Sequence, residues 1–407
     1  MPHLLLDSIY RQNYPLKKDD FVFEFHAFNV FQNKKGIVLG RYRDINFLLD
    51  VTKKVNGILI KYNNSIPLQS IGLVKQAMLE YASLVGGKIL FHNINFSKKR
   101  KNIISNFYKN INDILDFSSF LEKVNINHNA IFVEIGFGSG RHILNLAKKN
   151  PSNIIIGIEV HRPSIEQVLN QIHILNIKNL FIFNCDCRIL FDIFPSHCID
   201  RIYLHFPIPW DKNANRRVIS PHFIAICSRI LNYNGFLELK TDSPNYYKYS
   251  LNIINESNSF YIVESCIQES NIISKYEQRW LNQNKKIFTA RFYNLIITND
   301  KKDTITPVKI GPLAVDNLLE SKIFKLHSES CFFHIKHIYR FDFGYVLFVI
   351  FGSYKCPDSI HIIMYDNNKI ELIGEFIPTF ANKCALDLLM KTYGVHIEDL
   401  NNNGTKS

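Results

Sequence analysis

The chain has 407 residues, which is long for one ordinary domain. A hydrophobic fraction of 46% and an aromatic fraction of 13% supply enough apolar surface for packed cores and exclude an intrinsically disordered chain. The net charge of +12 is uneven, at +8 over residues 1–117, +5 over 118–299 and −1 over 300–407; the first two thirds suit a polyanionic partner, and lysine-rich composition accounts for the excess about equally well.

Met1 to Asp20 carries Asp7, Arg11 and the cluster Lys17-Lys18-Asp19-Asp20, unlike a secretory leader. The longest purely apolar run, Tyr345 to Phe351, is far too short to span a bilayer, so a soluble, cytoplasmic protein is expected. Phe21 to Phe28 alternates with strand period, and further strands are expected at Gly36–Tyr42, Gly57–Tyr62 and Lys88–Asn93, with Asn-rich turns between the first of them. Leu68 to Leu84 has helical spacing, and the charge run Lys98-Lys99-Arg100-Lys101 follows. Residues 1–117 thus read as a basic N-terminal α+β domain without a catalytic constellation.

From Ile131 the pattern changes to strands alternating with helices, the signature of a mostly parallel sheet in an α/β domain spanning 118–299. Strands are expected at Ile131–Ile135, Ile154–Glu159, Leu180–Asn184, Ile199–Leu204 and Gly235–Lys240. Helices are expected at Arg141–Asn150, Ser164–Asn176 and Pro221–Asn232, the last with Ser220 as N-cap. Residues 300–407 read as a third, strand-rich domain, with strands at Ile323–Leu326, Phe332–Arg340, Tyr345–Phe351, Ile360–Tyr365 and Ile370–Ile373, a helix at Lys383–Tyr393 and a polar tail. The eight cysteines include no C-x-x-C pair; Cys185, Cys187 and Cys198 read as buried thiols more readily than as a zinc site, and no metal is expected.

The chemistry concentrates after the first parallel strand, in Glu134-Ile135-Gly136-Phe137-Gly138-Ser139-Gly140. Glycines at 136, 138 and 140 let backbone approach a ligand at the carboxyl end of a sheet, where open α/β folds bind cofactors. Position 141 is Arg, so the G-x-G-x-x-G dinucleotide fingerprint is absent; an acid followed by G-x-G-x-G suits S-adenosylmethionine better. Glu159 ends the second strand, placed for both ribose hydroxyls, and Asp186 follows the third, placed for the adenine amino group. The expected cofactor site is therefore Glu134, Gly136, Gly138, Gly140, Glu159 and Asp186.

The fourth strand runs into His205-Phe206-Pro207-Ile208-Pro209-Trp210-Asp211-Lys212, with Arg216-Arg217 shortly after. Together with Gly157-Ile158-Glu159-Val160-His161, Thr241-Asp242 and Ser274-Lys275-Tyr276-Glu277-Gln278-Arg279, this resembles the bacterial tRNA (guanine-N7)-methyltransferases of the TrmB type. The resemblance covers the central segment and implies a class I methyltransferase, Rossmann-like fold acting on guanine N7 in the tRNA variable loop. Asp211 and Asp242 are the candidate catalytic carboxylates, Lys212, Arg216 and Arg217 are expected at tRNA phosphates, and the resemblance implies Asp242, Ser274 and Glu277 as further substrate-binding residues. Where that family has an aspartate between the two prolines, this chain has Ile208; Asp211 is the candidate replacement. Two other readings stay open: a methyltransferase for small molecules or proteins, and a tRNA-binding protein that keeps the fold with weak turnover.

Overall fold

The computed structural model describes residues 1–10, 13–66, 71–95, 105–124, 130–265, 286–297, 310–374 and 376–394. The run Lys98–Lys101 and the pair Ser274 and Glu277 lie outside them. Among the described residues no helix is long and apolar enough to cross a membrane.

The chain opens with strands β1 (His3–Leu6), β2 (Leu16–Lys18), β3 (Phe21–Asn29), β4 (Lys35–Tyr42), β5 (Ile45–Lys54) and β6 (Gly57–Asn63), helix α1 (Ile71–Val85) and strand β7 (Ile89–His92). Strands β3 to β6 form an antiparallel meander, and α1 buries Val74, Ala77, Met78 and Tyr81 against it. Strand β5 was not expected. Its start follows a tight turn with Arg43 at φ 53°, and Phe47, Leu48 and Leu49 are all buried, so the segment between the two expected strands pairs with both.

The second unit, Ile104–Thr306, begins with β8 (Tyr108–Lys109) and α2 (Phe117–Val124). There follow β9 (Ile131–Ile135), α3 (Arg141–Lys149), β10 (Ile154–Ile158), α4 (Arg162–Ile174), β11 (Leu180–Phe183), α5 (Cys187–Ile193) and β12 (Ile199–His205). The unit continues with α6 (Pro221–Ile230), β13 (Leu231–Thr241), α7 (Pro244–Ser257), β14 (Phe260–Ser265) and β15 (Phe288–Asn294). Its sheet has the order β14-β15-β13-β12-β9-β10-β11-β8, parallel from β8 to β13 and antiparallel at β15 and β14. Strands β9, β10 and β11 are buried at every position, as near-continuous apolar runs covered on both faces must be, and Glu134 of β9 is the charged residue among them. Helix starts follow local chemistry: Ser220 Oγ accepts from Phe223 N at 3.2 Å with Pro221 at the first position, and Ser243 Oγ accepts from Tyr246 N at 3.2 Å ahead of α7. Residues 104–117, assigned from sequence to the N-terminal domain, belong here, because Phe117 and Phe120 pack on Phe181, Phe183 and Phe194.

The last segment supplies α8 (Val315–Ser321), β16 (Lys325–His327), β17 (Phe332–Phe341), β18 (Gly344–Gly352), β19 (Pro357–Tyr365), β20 (Ile370–Ile373) and α9 (Phe380–Tyr393). It is not a third domain. Residues 1–103 and 307–407 form one unit, whose sheet runs β20-β19-β18-β17-β3-β4-β5-β6-β1-β7. The seam is the antiparallel pairing of Tyr339 with Asn29 and Arg340 with Phe28, and Phe25 stacks on Phe341 at 4.1 Å between centroids. A strand edge left open by one segment is thus completed by the other, which burial of the shared apolar face enforces. Cys331 and Cys384 form a disulfide in this unit, while Cys185, Cys187 and Cys198 stay thiols.

Candidate active site

Strand β9 ends in the glycine loop. Gly136 N donates to Ile158 O at 2.8 Å and Gly140 N to Phe137 O at 2.9 Å, which folds the loop back before α3. Gly138 sits at φ 51°, where a side chain is strained, and a Cβ there would meet nothing closer than 3.9 Å. Space beside the loop is therefore open for a ligand. Gly140, at φ 77°, is glycine for a different reason: a Cβ would lie 2.2 Å from Val168 Cγ2 on α4.

Glu159 fixes this loop from the end of β10. It is buried, accepting from Gly138 N at 2.9 Å through one oxygen and from Val160 N at 2.8 Å and His161 N at 2.9 Å through the other. Three of the carboxylate's four acceptor positions are thus occupied, leaving one for a ribose hydroxyl where the sequence suggested two. Asp186 caps α5, accepting from Arg188 N at 2.9 Å, and the Arg188 guanidinium grips it at 3.0 and 2.6 Å. The helix and the ion pair use most of its capacity, leaving one acceptor position toward an adenine amino group. Asn184 Nδ2 donates to Glu159 O at 2.8 Å and ties the ends of β10 and β11 together. These residues fit S-adenosylmethionine: an open, backbone-lined cradle beside a buried carboxylate at neighbouring strand ends.

Behind the loop lies a polar network, buried except at Arg291, that sequence reading missed. Glu134 Oε2 is 2.7 Å from His142 Nδ1 on α3, and His205 Nε2 is 2.8 Å from Glu238 Oε1. Arg291 Nε donates to the other Glu238 oxygen at 2.7 Å, and the rings of His142 and His205 lie 4.5 Å apart. Burial opposes charge on His142, but the Glu134 carboxylate and its hydrogen bond outweigh it and raise the imidazole pKa. Burial keeps His205 below the ordinary imidazole value. Burial alone would raise Glu238, yet the bonds from His205 and Arg291 hold it down at about 2. Glu134, expected at the cofactor, has one oxygen committed to bracing α3 against β9. Glu134, His142 and His205 each bring a potential ligand atom within 4.8 Å of the others, although the two short hydrogen bonds commit these groups to protons in this structure. A signal was present: Glu238 and Lys240 alternate with Leu237 and Leu239 in a strand buried on both faces.

The segment after β12 is shaped by backbone strain. Phe206 and Trp210 both have positive φ, 51° and 46°, on either side of Pro207-Ile208-Pro209. Ile208 is exposed, as are Asp211, Lys212 and Arg216. Arg216 lies over the Trp210 ring at 4.9 Å. Arg217, expected beside it at the phosphates, is instead only 7% exposed. Its Nε donates to Pro209 O at 2.7 Å, an amino group lies 3.4 Å from Asp211, and Tyr246 and Tyr249 flank the guanidinium. Asp242 follows β13, whose Lys240 pairs with His205 of β12, so the loops carrying Asp211 and Asp242 leave adjacent parallel strands.

A family model described as "Putative methyltransferase" matches residues 128–290. A tRNA (guanine-N(7)-)-methyltransferase of Helicobacter hepaticus is 34% identical over 94% of this chain and 96% of its own length. One from Helicobacter pylori is 32% identical over 96% and 98%, and one from Wolinella succinogenes 29% over 96% and 99%. The chain belongs to the tRNA (guanine-N7)-methyltransferase family. The similarity to these tRNA (guanine-N7)-methyltransferases runs through both structural units and is not confined to the central one.

For a tRNA (guanine-N7)-methyltransferase, the two neighbouring arginines should separate cleanly. Arg216→Ala is expected to flatten the log–log salt dependence of tRNA binding by about one, the loss of a phosphate contact. Arg217→Ala should leave that slope unchanged and destabilise the catalytic unit by about 2 kcal/mol, as for a buried hydrogen bond to a charged group. Salt titrations and thermal melts of both variants check this; equal slopes in the two would return Arg217 to the phosphate.

Proposed function

We propose that this chain methylates N7 of a guanine in tRNA, with S-adenosylmethionine as donor and 7-methylguanosine as product. The observation that carries the reading is 34% identity, over 94% of the chain, to a tRNA (guanine-N(7)-)-methyltransferase. Bound S-adenosylmethionine supplies an electrophilic sulfonium methyl. Gly136, Gly138 and Gly140 line its cradle, Glu159 holds the cradle in shape and offers its remaining acceptor position to the ribose, and Asp186 faces the adenine.

Guanine N7 carries an in-plane lone pair and is unprotonated at neutral pH, so no general base is required. The protein's task is alignment and charge complementarity. A carboxylate accepts from the guanine N1–H and N2–H2 edge, which adenine lacks, and offsets positive charge developing on the purine. Asp242 and Asp211 are assigned that work, and Arg217 positions Asp211 by anchoring the Pro209 carbonyl. Lys212 and Arg216 contact tRNA phosphates, and Ser274 and Glu277 are the further substrate-binding residues that the family motif implies.

Purified chain incubated with tRNA and methyl-labelled S-adenosylmethionine, followed by nuclease digestion and mass spectrometry, should place the label in 7-methylguanosine. Asp211→Asn should lower kcat at least about tenfold while tRNA affinity stays within about twofold, the pattern of an interaction made only in the transition state. Label in another nucleoside, or none, overturns the function. Unchanged turnover in Asp211→Asn transfers the carboxylate role to Asp242 alone.

A further inference from the structure

The unit formed by residues 1–103 and 307–407 contains a pocket that the chemistry of methyl transfer does not use. It measures about 430 Å³, within the range of small-ligand sites. His26 on β3 lines it, is 9% exposed, and among the described residues neither of its ring nitrogens has a hydrogen-bond partner. Buried polar atoms without partners are costly and rare, so a pocket bordered by a residue that carries two of them is a candidate to receive a ligand group. Beneath the ring lies Gly36, where a Cβ would stand 2.6 Å from His26 Nε2, so the pocket depends on that glycine.

The rim is basic and aromatic. Lys34, Lys35, Lys53 and Lys54 line the same pocket and are exposed; Lys53 N donates to Lys34 O at 2.8 Å, which joins the start of β4 to the end of β5. Phe28, 47% exposed, presents its ring 4.3 Å from His26. Asp7 is the acid in the lining, and its carboxylate accepts from Ser8 N and Lys88 N at 2.6 and 2.8 Å. Four ammonium groups, a stacking face and a neutral imidazole with one donor and one acceptor match a phosphate, a base and a ribose hydroxyl.

We propose that this pocket binds an unpaired nucleotide of tRNA, a second contact separate from the methyl-transfer crevice. The inference rests on the function proposed above and adds an anchoring site for the same substrate. His26 stays uncharged at neutral pH, since burial lowers its pKa to about 4; it selects by hydrogen bonding, and the lysines supply the charge.

Filter binding of the full-length protein to tRNA over a range of salt tests it, with S-adenosylmethionine affinity measured in parallel. Replacing Lys34, Lys35, Lys53 and Lys54 together by Ala should weaken binding at least about tenfold near physiological salt and flatten the log–log slope by roughly two to four. His26→Phe should bind tRNA at least about threefold more weakly with the slope unchanged, while its thermal midpoint holds or rises because two unpaired nitrogens are gone. S-adenosylmethionine affinity should match wild type in both. A wild-type slope and affinity in the quadruple variant overturn the anchor while leaving methylation standing. A wild-type chain that neither binds nor methylates tRNA brings down both readings. Calorimetry with adenosine monophosphate adds a last arm: binding lost in the variants while tRNA affinity is kept makes this a free-nucleotide pocket and overturns the proposal.

Discussion

Glu159→Ala is expected to weaken S-adenosylmethionine binding about a hundredfold. Glu159 is 8% exposed and its carboxylate accepts three backbone N–H groups, one of them from Gly138 in the glycine loop. Hydrogen bonds to a charged group contribute about 1.5–3 kcal/mol each, and backbone donors left unpaired in a buried site lose more than the bond itself. Water entering the space left by the shortened side chain recovers part of this. A net loss near 3 kcal/mol, or roughly a hundredfold in affinity, remains. Glu159→Gln should fall between, since its carbonyl oxygen still serves Val160 and His161 but its amide nitrogen then faces the Gly138 N–H. Calorimetry on folded variants measures both. Wild-type affinity in Glu159→Ala would mean that the loop holds its shape without the carboxylate.

The second large effect concerns acid stability. Glu238 is 4% exposed, and its pKa is depressed to about 2 by His205 and Arg291 against the opposing push of burial. In the unfolded chain a glutamate titrates near ~4.3, so the folded state binds fewer protons over that interval. The stability gained is fully present above pH ~4.3 and is lost as pH falls through about 2, and the difference between the two states corresponds to about 3 kcal/mol. Glu238→Gln should therefore destabilise the catalytic unit by about that much at pH 7, and the gap from wild type should narrow steadily between about pH 4.5 and 2. Both tryptophans, Trp210 and Trp280, lie in residues 104–306, so denaturant unfolding followed by tryptophan fluorescence reports this unit alone. A gap that stays constant with pH would assign the effect to packing and not to ionisation.

Much of the catalytic unit was legible in the sequence because its determinants are local. The strands β9 to β11 are short, mainly apolar runs bounded by turn residues, with Glu134 as the exception, and their boundaries fell within one residue of those expected. The cap at Ser220 and the glycines of the loop likewise follow from the conformation of a few adjacent residues. Carboxylates ending successive parallel strands are brought to one edge by the strand pairing itself, so Glu159 and Asp186 could be placed without knowing any long-range contact.

Tertiary structure decided what depends on partners far away in the chain. Alternating strands at 21–29 and 332–341 each showed a buried face, but nothing local says that Asn29 pairs with Tyr339, so two apparent domains proved to be one. Arg216 and Arg217 are identical in sequence terms. One is exposed over Trp210, and the other is enclosed by Tyr246, Tyr249 and the Pro209 carbonyl, which only the packing of α7 against the β12 loop could distinguish. His142, His205 and Glu238 come from three different elements, and each would be costly in a core by itself; Arg291 reaches Glu238 from a fourth element and from the exposed side. Hydrophobic periodicity records which face of an element is buried; it does not record which polar groups meet there, because pairing energy depends on distances that only the folded chain sets.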